Sequence, residues 1–374
     1  MTRPKPDLPL VFTCILLLVF GLAMVFSASA PTAVHWGKGI FYVLKNQGVY
    51  ALIGLAGGFA AWKVGIRSDL SRIAALFHWL AFGVTAMTLF FGVRTLGATR
   101  WLSFMGVSLQ PSEFLKPTMV LWLASRCLVP HDKPLEIGRT LLLVVGPLAL
   151  IIIGQSDLGT GLCVAAGGFI AGVMAGMPLW IIGGTLAAGV AGVLAVFLAG
   201  GYRATRIQEW LLIGHAHPGP PTQAEQSLMA IGHGGLGGEG FGMGTQKFGH
   251  LAIAHTDFIF AIVAEEVGFI GGLLLILAFL YLVLRAFQLA QRTEDPFARA
   301  AMVGLAGGIT GQALLNIGVA VALVPVTGVP LPFISQGGSS LVGTCISMGL
   351  CLGLAARVER RRKPRAPFAT EEPA

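Results

Sequence analysis

Charged residues are scarce: Asp, Glu, Lys and Arg together fill 11% of 374 positions. A soluble chain needs roughly 25–35% of such residues on its surface, so a soluble fold is excluded. Acidic residues number 17 against 25 basic ones. With no soluble domain to host a nucleic-acid site, that excess does not point to nucleic acid. Cysteine is sparse and unpatterned. Cys14, Cys127, Cys163, Cys345 and Cys351 lie in or beside apolar runs and show no CxxC spacing. They read as small buried hydrophobes and not as metal ligands.

What is abundant is apolar length and glycine, 55% hydrophobic residues and 52 glycines. Small residues let membrane helices approach closely. Measured against a span of about 20 residues, the apolar runs predict an all-α polytopic membrane protein of about ten helices. These are Leu8–Ala30, Gln47–Val64, Ile73–Phe91, Ser112–Leu128, Thr140–Ile153, Leu158–Ala175, Leu179–Ala199, Asp257–Leu284, Ala298–Val324 and Gln336–Ala356. Ser112–Leu128 and Thr140–Ile153 are short for a full span. Arg3 and Lys5 before the first run, with Ser27–Ala30 after it, imitate a signal peptide, but Leu8–Phe26 is too long for an h-region. It reads as an uncleaved first helix.

The chain is expected to form a single membrane domain over 1–374: a helical core over 8–356, a loop over 200–256 and a basic tail over 357–374. Placing the N-terminus in the cytoplasm puts most of the Lys and Arg there, including the tail RVERRRKPR, Arg357–Arg365. Basic residues accumulate on that side, so both termini are expected to be cytoplasmic and the 200–256 loop external. Ala230–Gly244, AIGHGGLGGEGFGMG, is expected to be too glycine-rich for a helix and able to fold back into the membrane. Gly168/Gly172/Gly176 and Gly304/Gly308 read as helix-packing patterns.

Under this topology the conspicuous polar residues gather on the external side. Arg100 ends the loop after the third helix; Glu113 and Lys116 open the fourth; Asp157 precedes the sixth. Arg203 and Arg206 follow the seventh. Lys247, His255 and Asp257 lead into the eighth, and Ser335 and Gln336 into the tenth. Ionisable groups at membrane depth are costly and are read first as functional. Each also has a structural reading. Glu113 and Lys116, at i and i+3, are placed to neutralise each other, and Ser112, Asp157 and Asp257 are placed as helix caps. Arg203 and Arg206 can anchor at headgroups. Glu265 and Glu266 either extend a polar groove below Asp257 or pair with a neighbouring helix. His215 and His217 lack further ligands for a metal. Together, acids and guanidinium groups facing one cavity suit a substrate bearing phosphate and hydroxyl groups. Arg matches phosphate oxygens, and an Asp can serve as base toward a hydroxyl.

The motifs AHTDFIFAIVAEEVGFIGG, QPSEFLK, QSDLGTG, QSLMAIGHGGLGGEGFG, NIGVAVALVPVTGVPLPFISQGGSSL and GLAMVFSASA resemble, in order, those of the SEDS family (shape, elongation, division and sporulation), whose members include RodA and FtsW. The resemblance runs from Leu8 to about Ala356, and GLAMVFSASA looks more like FtsW than RodA. The family's LPEAHTDFIF lacks its Pro and Glu here, where Leu251–Ala254 stands. Its RQ is Asn46–Gln47, its QPDLGT carries Ser156, and its SYGGSS carries Gln336. The resemblance implies a peptidoglycan glycosyltransferase, acting in division or elongation, that polymerises lipid II at the outer face of the cytoplasmic membrane. It implies a class B penicillin-binding protein and undecaprenyl-pyrophosphate-linked glycan as partners, and Asp257 as the essential aspartate. Arg100, Arg203, Arg206 and Lys247 are the candidates to balance the departing pyrophosphate, a task a divalent cation such as Mg or Mn can share. The competing reading is a lipid II flippase, toward which Glu265 and Glu266 lean; a non-catalytic scaffold is the other.

Overall fold

The computed structural model describes residues 5–67, 69–95, 98–104, 107–126, 134–181, 202–215, 220–248 and 255–362, with a few positions between 183 and 191. Its helices are α1 (Leu8–His35), α2 (Tyr42–Arg67), α3 (Leu70–Phe91), α4 (Ser112–Ser125) and α5 (Pro134–Ala149, continued by a π turn at Leu150–Gly154). They continue with α6 (Leu158–Met174), α7 (Tyr202–Leu211), α8 (Gln223–Gly234), α9 (Ile259–Ala290), α10 (Pro296–Ala320) and α11 (Gly338–Arg362). Among the described residues six helices are long and apolar enough to cross a membrane: α1, α2, α3, α9, α10 and residues 338–358 of α11. Two shorter apolar helices accompany them, Val144–Gly154 and Leu158–Met174. The protein is a multi-pass membrane protein. The expected seventh span, Leu179–Ala199, lies mostly outside the described residues.

Several expectations change. Thr140–Ile153 is not short, because the helix begins at Pro134 and runs through the π turn to Gly154. The expected loop after α3 holds three antiparallel strands, β1 (Val93–Thr95), β2 (Ala98–Phe104) and β3 (Val107–Leu109), with Val93 opposite Trp101 and Leu102 opposite Leu109. The 200–256 segment contains two helices. Ala230–Gly234 belongs to α8, where a capping box between Thr222 and Glu225 starts the helix and offsets the glycine penalty. Ser112 does not cap α4. Pro111 holds that position without a side-chain bond. Asp257 does not cap α9 either; Phe258 does.

Glycine sets the closest helix contacts. α2 and α11 meet backbone to backbone, where a Cβ on Gly349 would stand 2.1 Å from the Gly58 carbonyl oxygen. α6 crosses α10 at Gly167 and Gly308, and a Cβ on Gly304 would fall 2.7 Å from Ala171 Cβ. Neither backbone can yield cheaply. Gly349→Ala is therefore expected to cost about 1–3 kcal/mol, read as a lowered thermal midpoint in detergent.

The segment 235–248 folds against a break in α9. Gly268 has φ 73° and ψ −174°, about 14 Å along the helix from Ile259 at 1.5 Å per residue. The backbone groups freed there are taken up by the loop: Phe269 N–H donates to Gly235 O at 2.9 Å and Ile270 N–H to Leu236 O at 3.2 Å. In return Glu239 N–H donates to Glu265 O at 2.9 Å and Gly240 N–H to Glu266 O at 3.0 Å. Such pairing is what permits irregular backbone at membrane depth. Gly234 and Gly238 are required, since a Cβ would lie 1.9 Å from Ala264 O and 2.3 Å from Glu266 O.

The two glutamates complete this clasp. Glu265 Oε1 accepts from Thr245 N–H at 2.8 Å and Gln246 N–H at 3.1 Å. Glu266 accepts from Ser27 Oγ at 2.6 Å, Gly242 N–H at 3.0 Å and Lys247 Nζ at 2.6 Å. Both are buried. Pairing within the fold, and not a polar groove below Asp257, is their role.

Candidate active site

Asp257 lies in the turn 255–258 that precedes α9, half-buried, with Phe258 and Ile259 packed beneath it. The backbone of this turn is held from two directions, and the segment that clamps it is braced from a third. From α10, the Asn316 amide donates to Asp257 O at 2.8 Å and to Val329 O at 2.7 Å. From the 321–337 segment, Ser335 Oγ donates to Thr256 O at 2.5 Å, and Gln336 N–H donates to His255 O at 2.9 Å. From α2, Gln47 donates to Ser335 O at 3.1 Å and accepts from Gly337 N–H at 3.2 Å. Gln312, one turn before Asn316, donates to Pro330 O at 2.8 Å. Two loops distant in sequence are thereby stitched into one rigid edge.

The loop facing Asp257 makes room for its carboxylate. Gly328 sits at φ +71°, and a Cβ there would stand 3.7 Å from Asp257 Oδ2. Because Asn316 fixes both this loop and the Asp257 turn, Asn316→Ala should displace the carboxylate. Any turnover that depends on this carboxylate is expected to fall about 10²-fold, in kcat more than in KM, as for ångström-scale misplacement elsewhere. Steady-state kinetics beside a melting curve separates this from general unfolding.

Arg100, on β2, reaches the same place. Its Nη1 donates to Asp157 Oδ2 at 2.9 Å. Asp157 caps α6 through Thr160 N–H at 3.1 Å and also accepts from Thr160 Oγ1 at 2.9 Å and Gln110 Nε2 at 3.3 Å. Its capping and charge-pairing roles coexist. Burial pushes the Arg100 guanidinium down, but Asp157, then Asp257 and Glu113, outweigh it and hold the group above its ordinary value. Arg100 Nε is buried without a hydrogen-bond partner.

Glu113 and Lys116 form the expected pair at 2.7 Å, and Lys116 also donates to Gln312 Oε1 at 2.7 Å. A cavity of about 20 Å³ beside them has room for roughly one water. His255 packs edge-on against Trp36, ring centroids 6.3 Å apart, and burial lowers its pKa below the usual imidazole range. Its Nδ1 and the Oε1 of Gln336 are buried without partners, two more polar atoms available near Asp257.

Of the residues predicted from sequence, Asp257, Asp157, Arg100, Glu113, Lys116, His255, Ser335 and Gln336 are brought to this end of the bundle. Lys247 is engaged within the fold. An ammonium has three donors, and all three are used: on Glu266, on Ser27 Oγ at 3.0 Å and on Gly242 O at 2.7 Å. None is left for a phosphate. The side chains of Arg203 and Arg206 lie outside the described residues, as does His217. Among the described residues no three His, Cys, Asp or Glu side chains converge to hold an ion. Gln312, Asn316 and Gln47 were missed. Amides spaced i, i+4 in an apolar helix were the available signal for the first two.

Comparison with known proteins places this arrangement. Residues 8–360 match the cell cycle protein family that joins FtsW, RodA and SpoVE. Stage V sporulation protein E of Bacillus subtilis is 36% identical over 361 residues, covering 94% of this chain and 98% of that protein. A probable peptidoglycan glycosyltransferase FtsW of Geobacter metallireducens is 32% identical, covering 94% and 95%. Among solved structures, a chain from a peptidoglycan synthase complex described as coordinating polymerization and crosslinking superposes with a TM-score of 0.75 at 28% identity, over 96% of this chain and 99% of that one. The rod shape determining protein RodA of Thermus thermophilus gives 0.69 at 27% identity, over 96% and 99%.

Proposed function

The chain belongs to the FtsW, RodA and SpoVE family of cell cycle proteins, and from that membership we propose that it is a peptidoglycan glycosyltransferase polymerising lipid II with Asp257 as its base. Asp257 takes the proton from the 4-hydroxyl of the acceptor N-acetylglucosamine. The freed oxygen attacks the anomeric carbon of the donor N-acetylmuramic acid from the face opposite the lipid pyrophosphate. The carbon–oxygen bond to pyrophosphate breaks as the new one forms, inverting α to β, and the electron pair leaves on the pyrophosphate. Arg100, held by Asp157, balances the developing charge.

The observation that carries this reading is a half-exposed carboxylate on a backbone clamped by Asn316, Ser335 and Gln336, with a guanidinium near enough to feel its charge. General-base work needs that combination of access and fixed geometry. The Asp257 end is taken to face outward, with both termini in the cytoplasm, and a class B penicillin-binding protein is the crosslinking partner. The solved synthase complex supports the partner; the distribution of Lys and Arg supports the orientation.

The test supplies purified protein and its partner with labelled lipid II in detergent. Polymer with β linkages at every new bond is the expected product. Absence of polymer under all conditions, with scrambling of lipid II in vesicles, would favour the flippase instead. The engagement of Glu265 and Glu266 by the 235–248 loop removes the feature that leaned toward transport.

A further inference from the structure

Lys116 has a second partner besides Glu113, and that partner leads toward Asp257. Gln312, on α10 and 3% exposed, accepts from the Lys116 ammonium on its Oε1 at 2.7 Å and donates through Nε2 to Pro330 O at 2.8 Å. The amide has one way round. An ammonium carries donors only and a peptide carbonyl only accepts, so Lys116 draws the oxygen toward itself and turns the NH₂ group toward the loop. Lys116 is fixed in turn by Glu113 Oε2 at 2.7 Å. Asn316, one turn further along α10, has no such anchor, since its Oδ1 is buried without a partner.

The carbonyl that Gln312 holds belongs to the loop beside the carboxylate. Gly328, which faces Asp257 Oδ2, lies two residues before Pro330. In the other direction Leu331 N–H donates to Ser335 Oγ at 2.8 Å, and that hydroxyl donates to Thr256 O, next to Asp257. Pro330 has no N–H of its own, so its carbonyl is the handle its backbone offers. A chain of contacts thus runs from α4 through α10 into both flanks of the Asp257 turn. The cavity lined by Glu113, Lys116 and Gln312, about 20 Å³, holds roughly one water and is too small for a phosphate or a sugar. With the Glu113 and Lys116 side chains 3% and 16% exposed, the pair meets protein on most sides.

We propose that Gln312 is a positioning residue for the Asp257 base, and that Glu113 and Lys116 act on the reaction through it, by orienting its amide, and not by touching substrate. The proposal rests on the glycosyltransferase reading.

Three variants test it: Gln312→Met, the pair Glu113→Gln with Lys116→Met, and all three changes together. The pair is removed as a unit so that no buried charge is stranded. Asn316 still holds Val329 O, so the loop should shift less than when Asn316 itself is lost, and kcat should fall about tenfold in Gln312→Met. Residues acting in series are not additive. The pair variant and the triple variant should therefore show the same loss of about tenfold and no more. KM should stay within about twofold of wild type, and the amount of lipid II bound per protein at saturation should be unchanged, which separates misplacement from unfolding. A triple variant reduced about 10²-fold, the product of two independent losses, would overturn the proposal. So would a raised KM or lost lipid II binding in the pair variant, because Glu113 and Lys116 would then meet substrate themselves. Wild-type kcat in Gln312→Met would overturn it too. Failure of the glycosyltransferase reading is distinct: the wild type itself would make no polymer, and this proposal would fall with it.

Discussion

Glu266→Ala is expected to destabilise the protein by about 3–5 kcal/mol, the usual cost of leaving a buried charge without its partner. The Lys247 ammonium lies 2.6 Å from Glu266 Oε1, and the two side chains are 3% and 0% exposed. Without the carboxylate, the ammonium keeps only Ser27 and a backbone carbonyl, and Gly242 N–H loses its acceptor. The loop 241–248 should then leave α9. Thermal unfolding in detergent reads the loss. The paired variant Glu266→Gln with Lys247→Met should recover most of it, because a neutral replacement for a buried ion pair is often nearly as stable. Equal loss in both would mean that shape, and not charge, holds the clasp.

The sequence made this region visible but not interpretable. Glu265 and Glu266 stand out because acids are rare in apolar runs, yet their partners lie at Ser27, Gly242 and Thr245–Lys247. The glycine content of Ala230–Gly244 allows that segment to fold back into the membrane, but nothing in a linear reading says that it meets these two acids there. Its path is written in the absence of side chains, at Gly234 and Gly238, where periodicity gives no signal. Lys247 read as a free cation for the same reason: its saturation depends on Ser27, 220 positions away.

The Asp257 site was more legible. Asp157, Arg100, Glu113 and Lys116 announce themselves as charges beside hydrocarbon, and the Glu113–Lys116 pairing follows from its i, i+3 spacing, whereas that of Arg100 with Asp157 emerges only in the fold. Asn316, Gln312 and Gln47 carry no charge and were passed over, although they fix the backbone on which the carboxylate rides. The short strands that carry Arg100 were likewise hidden, because β1 and β3 have only three residues each. Helix ends moved where capping chemistry decided them, as at Thr222 and Glu225.

Asp257→Asn is expected to lower polymerisation by at least about 10³-fold. The amide keeps the size of the side chain but cannot accept the hydroxyl proton, so the loss combines the 10²–10⁴-fold usually carried by a general base with the absence of an enzyme nucleophile to take over. The turn should persist, since Asn316, Ser335 and Gln336 hold backbone atoms that the substitution leaves in place.

Binding measured beside turnover separates this role from mere substrate contact. Equilibrium binding of labelled lipid II to Asp257→Asn in detergent should match the wild type within about threefold, a difference of less than 1 kcal/mol, while polymer formation disappears. Polymerisation at the wild-type rate, or a loss of binding large enough to explain the loss of turnover, would contradict Asp257 as the base.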